Sequence, residues 1–280
     1  MLRSHLSLLD AFLSPAIVQP RQAALYAAQP PVNDGRTGGG NVPSLGASSR
    51  VWIHNLMIRA LIFDFDGLIV DTESPAFDAW QKLYRDHGLE LAPEVWAQVI
   101  GTHEHRFDAM DHLESLHGAP LERESLNAKR VEHKLQMTGA RPVLPGVLEL
   151  VQYATGRGIR LGVASSSSHR WVEDNLERRG LLAAFDCIRC REDVARTKPF
   201  ADLYLASLDC LNVEAGEAVV FEDSPNGIAS AQAAGIFAVA VPNPVTAPLN
   251  LDAAEMRLDS LAALSPDQLL AALESRLKAR

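Results

Sequence analysis

The stretch IRALIFDFDGLIVD, residues 58–71, indicates how the chain folds. It begins with an apolar run, which favours a strand buried on both faces of a sheet. Two carboxylates, Asp64 and Asp66, follow where this run ends, and Gly67 allows the chain to turn directly after them. We therefore predict a buried strand that brings two acidic side chains towards one centre at the edge of a sheet.

Beyond this stretch, short apolar runs alternate with helical patterns of about 10 to 15 residues. The runs are IRLGVASS, FDCIRC, EAVVFED and IFAVAV. Such alternation is typical of βαβ units and a parallel sheet, and runs that are apolar on both faces require helices on both sides. We therefore predict an α/β fold with a Rossmann-like parallel sheet core.

The segment between the first two predicted strands is too long for a simple crossover and has helical periodicity throughout. We predict that residues 75–140 form an inserted helical cap and that residues 57–74 with 141–280 form the core. Residues 1–56 contain four Arg, two Asp, no Lys and no Glu, with many turn formers, and are predicted to be a disordered extension. Their early part also fits an organelle transit peptide, and deleting the whole extension is expected to leave stability and turnover unchanged.

Composition excludes several classes of function. The 280-residue chain has 26 Lys and Arg against 35 Asp and Glu, a net charge of -9, so no nucleic acid partner is expected. It contains no run of about 18 apolar residues that could span a membrane. Three cysteines (Cys187, Cys190, Cys210) do not resemble a disulfide framework, which favours a reducing, cytoplasmic location. Cys187 and Cys190 share a predicted strand and are interpreted as packing residues.

Polar residues also follow the later predicted strands. Ser165 and Ser166 follow the second strand, where hydroxyls and free N–H groups can hold an anion. Lys198 stands at the head of a helix, and Glu222 and Asp223 follow another strand. Because the carboxyl ends of parallel strands meet at one edge, these groups should lie near the first acidic pair. Hard oxygen ligands suit Mg2+, and the set is consistent with phosphoryl transfer through an aspartate nucleophile.

Four motifs, DFDGLIVDTE, VASSS, TKPFADLYLA and FEDSPNGIASAQAAG, resemble those of the haloacid dehalogenase superfamily. The resemblance covers essentially residues 58–245 and is to subfamily IA, the β-phosphoglucomutase-like phosphatases with a helical cap. It implies that Asp64 is the nucleophile that forms an aspartyl-phosphate. It also implies that Asp66 is the general acid and then the base. Dehalogenase members lack this second acid, so Asp66 favours phosphate chemistry.

The resemblance further implies that Ser165, with Ser166 beside it, binds the phosphoryl oxygens and that Lys198 orients the nucleophile. The Mg2+ ligands that it implies are Asp64, the backbone carbonyl of Asp66, and Asp223 with Glu222 beside it. The loop of residues 67–71 would be the hinge of the cap.

Two positions bear on whether the reaction is hydrolysis or isomerisation. The mutases carry a His soon after the first motif and a cap Arg for a distal phosphate, where this chain has Ala76 and Glu104. A carboxylate repels a second phosphate, so hydrolysis is favoured, with His103, Glu104 and Arg106 as cap residues that could contact the substrate.

We therefore predict a Mg2+-dependent, monomeric phosphatase of a small phosphorylated metabolite, with a sugar or polyol phosphate ahead of a nucleoside monophosphate. A β-phosphoglucomutase-like sugar phosphomutase is the alternative enzyme. The alternative that is not an enzyme is a catalytically inactive core that serves as a binding module.

Overall fold

A computed structural model of the chain describes residues 58–96 and 108–280. The predicted extension and the cap residues His103, Glu104 and Arg106 lie outside the described residues. The strands are β1 (Ala60–Phe63), β2 (Arg160–Ala164), β3 (Cys187–Arg189), β4 (Ala218–Glu222), β5 (Phe237–Ala240) and β6 (Met256–Arg257). The α-helices are α1 (Glu73–Asp86), α2 (Pro93–Trp96), α3 (Ala109–His117), α4 (Arg123–Gly139), α5 (Val147–Arg157), α6 (His169–Arg178), α7 (Asp202–Leu211), α8 (Pro225–Ala233) and α9 (Pro266–Lys278). None of the described helices is long and apolar enough to cross a membrane.

The strands form one parallel sheet in the order β3-β2-β1-β4-β5-β6. At its centre, Leu61 of β1 lies beside Leu161 of β2 on one side and Val219 of β4 on the other. The chain proceeds outwards in one direction from β1 to β3 and in the other from β4 to β6. This reversal opens a crevice at the carboxyl ends of β1 and β4, which is where open α/β sheets bind ligands.

Alternating residues of β1 enter two separate hydrophobic clusters. Leu61 and Phe63 pack with apolar residues of α5, α6 and α9, whereas Ala60 and Ile62 pack with residues of α7 and α8. Successive strand residues point to opposite faces, so helices cover both sides of the sheet. The predicted Rossmann-like α/β fold is confirmed.

The helices between β1 and the second half of the core have a hydrophobic cluster of their own. Tyr84 is fully buried in it, and its hydroxyl donates a hydrogen bond of 2.7 Å to the carbonyl of Ala109. The two connections to the core run side by side, since Val70 bridges to Val143 and an ion pair of 3.2 Å joins Asp71 to Arg141. We call residues 73–139 the helical insertion; that it is a hinged cap stays a prediction.

The cysteines differ from the sequence-based expectation. A disulfide joins Cys187 of β3 to Cys210 of α7, so the expectation that the cysteines form no disulfide was wrong for this pair. Spacing along the chain could not show that α7 packs against β3 and brings them together. Cys190 is buried and free, and burial raises the pKa of its thiol to about 12, which makes it unreactive.

Candidate active site

The predicted polar residues of four chain segments meet at the crevice between β1 and β4. Asp64 follows β1, Ser165 follows β2, and Glu222 and Asp223 lie at the end of β4. Lys198, from the segment before α7, reaches the same place, and all five side chains are buried. The structure therefore brings these residues together, as the carboxyl-end rule predicts.

Lys198 is at the centre of the site. Its ammonium group donates to Asp64 Oδ1, to Glu222 Oε1 at 2.6 Å and to the carbonyl of Ala164 at 2.8 Å. An ammonium has three donors, so all of them are used within the protein. Burial alone would lower the pKa of Lys198, but the two carboxylates outweigh it and raise this pKa, so the side chain stays charged.

Glu222 is fully buried and accepts hydrogen bonds on both carboxylate oxygens. Oε1 accepts from Lys198 and, at 2.6 Å, from the hydroxyl of Tyr204, while Oε2 accepts from the Ser224 hydroxyl at 3.2 Å. A side chain on Gly227 would overlap this carboxyl group, so only glycine fits beneath it. Tyr204 was not predicted, because its helical spacing indicates burial but not a partner.

Asp64 and Asp223 complete a compact acidic group. Oxygen atoms of Asp64, Glu222 and Asp223 lie within 4.8 Å of one another. Burial, together with neighbouring carboxylates, raises the pKa of Asp64 and of Asp223 well above their ordinary values, although Lys198 opposes the shift. When all are ionised, three carboxylates against one ammonium leave two negative charges in excess.

The donor set of this group fits a divalent cation. Hard carboxylate oxygens are the ligands that Mg2+ prefers, and one such ion would neutralise the excess charge. Asp64 and Asp223 are the more available ligands, because both oxygens of Glu222 already accept protein hydrogen bonds.

Asn243 holds Asp223 in place, and the absence of a side chain at Gly67 leaves room for both. Asn243 Nδ2 donates to Asp223 Oδ2 at 2.7 Å and to the carbonyl of Gly67 at 3.2 Å. Gly67 has a φ of 83°, and a Cβ there would overlap both Asp223 and Asn243. The predicted turn at Gly67 is thus present, and it also permits this close approach. Asn243 was missed, although it follows β5 just as the predicted residues follow their strands.

Asp66 lies beside the acidic group but has different partners. Its Oδ2 accepts from the Ser167 hydroxyl at 2.6 Å and the Ser165 hydroxyl at 3.3 Å, and its Oδ1 accepts from Trp171 Nε1 at 2.8 Å. Ser165 was predicted to bind phosphoryl oxygens, and Trp171 was not singled out. The hydroxyl of Ser166, also predicted to bind phosphate, is buried with no hydrogen-bond partner in the described part of the chain.

Glu73 begins α1 and is a further titratable group near the crevice. Burial and the charges of Asp66 and Asp71 raise its pKa to about 7, while Lys134 of α4 opposes this shift. Ala76, one turn further along α1, is buried among the apolar residues of the insertion. It therefore offers no polar group at the position compared with the mutase His.

A parallel sheet with acidic residues at its strand-order reversal defines an α/β enzyme with a crevice between its two central strands. The family model described as haloacid dehalogenase-like hydrolase matches residues 61–241, well over half of the chain. The chain belongs to this family, which confirms the resemblance found in its motifs.

Individual relatives agree with this assignment. YhcW of Bacillus subtilis (strain 168) is 39% identical over 220 residues, covering 79% of this chain and 100% of YhcW. A protein of Thermotoga maritima named phosphorylated carbohydrates phosphatase is 29% identical over 225 residues, 79% of this chain and 100% of that protein. The crystal structure of β-phosphoglucomutase from Clostridium difficile has a TM-score of 0.62 at 25% identity, covering 80% of this chain and 100% of the mutase. The chain is thus an enzyme of this hydrolase family, and the prediction of a phosphatase within it is confirmed.

Proposed function

We propose that the enzyme hydrolyses a small phosphomonoester with Mg2+ and through an aspartyl-phosphate on Asp64. The observation that carries this proposal is the buried Asp64 carboxylate, held by Lys198 within a group of three acids. A sugar or polyol phosphate is the leading substrate, which the name of the Thermotoga maritima relative supports.

In the first half of the reaction, a carboxylate oxygen of Asp64 forms a bond to phosphorus and the bond to the ester oxygen breaks. Asp66 gives its proton to that departing oxygen, which leaves as an alcohol. Lys198 favours the ionised form of Asp64 and directs its carboxylate, and the Ser165 hydroxyl and the N–H groups of its loop bind phosphoryl oxygens. Ser166, with its buried hydroxyl, lies in this loop.

In the second half, water attacks phosphorus and Asp66 takes its proton. The bond between phosphorus and Asp64 breaks, which returns the free carboxylate and releases inorganic phosphate. Mg2+ held by Asp64, Asp223 and the Asp66 carbonyl, with Glu222 beside them, would withdraw charge from the phosphoryl oxygens. The helical insertion, hinged at residues 67–71, would exclude bulk water.

The test is phosphate release from a panel of phosphorylated metabolites, with Mg2+ and with EDTA. We expect release that requires Mg2+ and that Asp64→Asn abolishes, because asparagine cannot form the acyl phosphate. Asp174→Asn makes the same chemical change at an exposed position of α6 and should retain full turnover. With p-nitrophenyl phosphate, whose leaving group departs without a proton, Asp66→Asn should slow mainly the second step, so that mass spectrometry detects a phosphoryl group on Asp64. Turnover by Asp64→Asn would refute the nucleophile assignment.

Isomerisation is the second candidate because a β-phosphoglucomutase shares the fold at 25% identity. The buried Ala76 offers no polar group from α1, which favours hydrolysis. A hexose 1-phosphate supplied with its bisphosphate distinguishes the two, since isomerisation without phosphate release would establish the mutase. Absence of both reactions across the panel would contradict both candidates.

We also propose that the protein is a monomer without a nucleic acid partner, whereas the Cys187–Cys210 disulfide removes the cysteine argument for a cytoplasmic location. The acidic composition of the chain argues against a nucleic acid partner. Size-exclusion chromatography with light scattering tests the oligomeric state, and a dimer mass would refute it.

A further inference from the structure

Neutral donors direct the carboxyl group of Asp66. The indole N–H of Trp171 bonds to Oδ1 at 2.8 Å, and the Ser167 hydroxyl bonds to Oδ2 at 2.6 Å. Among the ion pairs of the described residues, none involves Asp66, in contrast to Asp64 with its lysine. The direction of the Asp66 carboxyl therefore depends on where these neutral groups are held.

The backbone of Trp171 is well fixed for such a role. Trp171 lies in the first turn of α6, and its backbone N–H donates to the side chain of the N-cap residue Ser168 at 3.3 Å. This helix begins immediately after the serine loop that is proposed to bind phosphate. The Trp171 side chain is partly buried and packs against the main hydrophobic cluster. The indole N–H therefore has a defined position relative to the phosphate loop.

The face of the same ring is in contact with the helical insertion. The ammonium of Lys134, on α4, lies 5.2 Å from the centre of the Trp171 ring, within cation–π distance. Trp171 is thus the point at which a charge on the insertion meets a group that holds Asp66.

We propose that Trp171 is a positioning residue for Asp66. Lys134 holds the indole ring of Trp171 in position when the insertion lies against the core. The indole N–H orients the Asp66 carboxyl towards the departing ester oxygen, and Trp171 itself touches neither substrate nor metal. This inference rests on the proposed function, because it assumes that Asp66 protonates the leaving group.

The test compares two substrates that differ in their need for that proton. The nitrophenolate of p-nitrophenyl phosphate leaves without protonation, whereas an alkoxide must be protonated as it leaves. We choose as the alkyl ester the one that the phosphate-release panel ranks first. The readout is kcat/KM, because it covers the steps up to departure of the leaving group.

Trp171→Phe keeps a ring beneath Lys134 and removes the N–H. We expect kcat/KM for the alkyl ester to fall about tenfold or more, and kcat/KM for p-nitrophenyl phosphate to change by less than about twofold. A role in packing alone would lower both values equally. Equal losses, or no loss with either ester, would overturn the inference.

Two further comparisons keep the result interpretable. Asp66→Asn removes the acid itself and should show the same selectivity more strongly. If it does not, the acid assignment in the proposed function fails, whereas selectivity in Asp66→Asn but not in Trp171→Phe refutes only the role of Trp171.

Lys134→Met serves as a second variant, because it keeps the side-chain stem and leaves Trp171 in place. This variant should also lower kcat/KM selectively for the alkyl ester, but by less than Trp171→Phe does. Lys129→Met removes the same charge from an exposed position on α4 and should not. Equal kcat/KM values for the two variants with both esters would refute the proposal that Lys134 holds the indole ring in position.

Discussion

Removing the hydroxyl of Tyr204 is the sharpest test of how the acidic centre is held. Tyr204 is fully buried, and its hydroxyl donates to Glu222 Oε1 at 2.6 Å. Burial and the nearby carboxylates raise the pKa of Tyr204, so it remains a neutral donor. Tyr204→Phe removes this one bond and keeps the ring, over which Lys198 lies at 5.2 Å.

The size of the effect follows from the charge of the acceptor. A hydrogen bond to a charged group contributes about 1.5–3 kcal/mol, and its loss leaves Glu222 less well satisfied in the interior. For a domain of this size, 1 kcal/mol shifts Tm by about 2–4 °C, so we expect a decrease of roughly 3–12 °C. Turnover should fall by less than about tenfold, because Asp64 and Lys198 keep their direct contact.

The assay is thermal unfolding in EDTA, followed by circular dichroism. Tyr153→Phe is the matched control, since it removes an exposed hydroxyl that donates to Asp267 and should change stability by less than about 0.5 kcal/mol. If both variants unfold at the same temperature, the hydrogen bond to Glu222 does not stabilise the site and the reasoning is wrong.

Three other perturbations give distinct results. Gly227→Ala forces a methyl group into the buried carboxyl group of Glu222, so it should lower stability by about 3 kcal/mol or more and abolish turnover. Gly216→Ala is the control, because its methyl group meets no atom within 4 Å and should leave stability unchanged in the same unfolding assay. Because the pKa of Glu73 is raised from 4.5 to about 7, the folded state holds a proton there that the unfolded state lacks between these two pH values, and stability falls as the pH rises from about 4.5 through 7. Glu73→Gln should therefore be about 1–3 kcal/mol more stable than wild type at pH 8.5, after allowance for partial exposure. The measurement is urea titration with EDTA at pH 8.5 and at pH 6. A stability difference between variant and wild type that is no larger at pH 8.5 than at pH 6 would contradict this. The disulfide Cys187–Cys210 closes a loop of 23 residues and should contribute about 3 kcal/mol to stability. A reductant should therefore lower Tm and raise the thiol count of the denatured protein from one to three. Three thiols without reductant would show that the disulfide does not form.

The sequence was sufficient to predict the sheet and the residues that lie directly at strand ends. Asp64, Ser165 and Asp223 could be brought together on paper because parallel strands share one carboxyl edge, whatever the details of packing. Lys198 could be added because it stands at the predicted head of a helix that follows one of these strands.

Residues that act from helices or later loops were not predictable in the same way. Trp171 reaches Asp66 across 105 positions of the chain, and helical periodicity says only which face of α6 is apolar. Asn243 follows β5 and could have been found by applying the strand-end rule once more. The pairing of Cys187 with Cys210 depends on how α7 packs against β3, which no local pattern contains.

The complete use of the Lys198 donors within the protein has a consequence for the order in which molecules enter the crevice. An ammonium that already has three acceptors attracts an incoming phosphate only weakly, and that phosphate also approaches several carboxylates. Under the proposed function, anion affinity would therefore depend on a cation that binds first or in the same encounter. Lys198 would then hold the nucleophile in place, while the bound metal would control the entry of substrate.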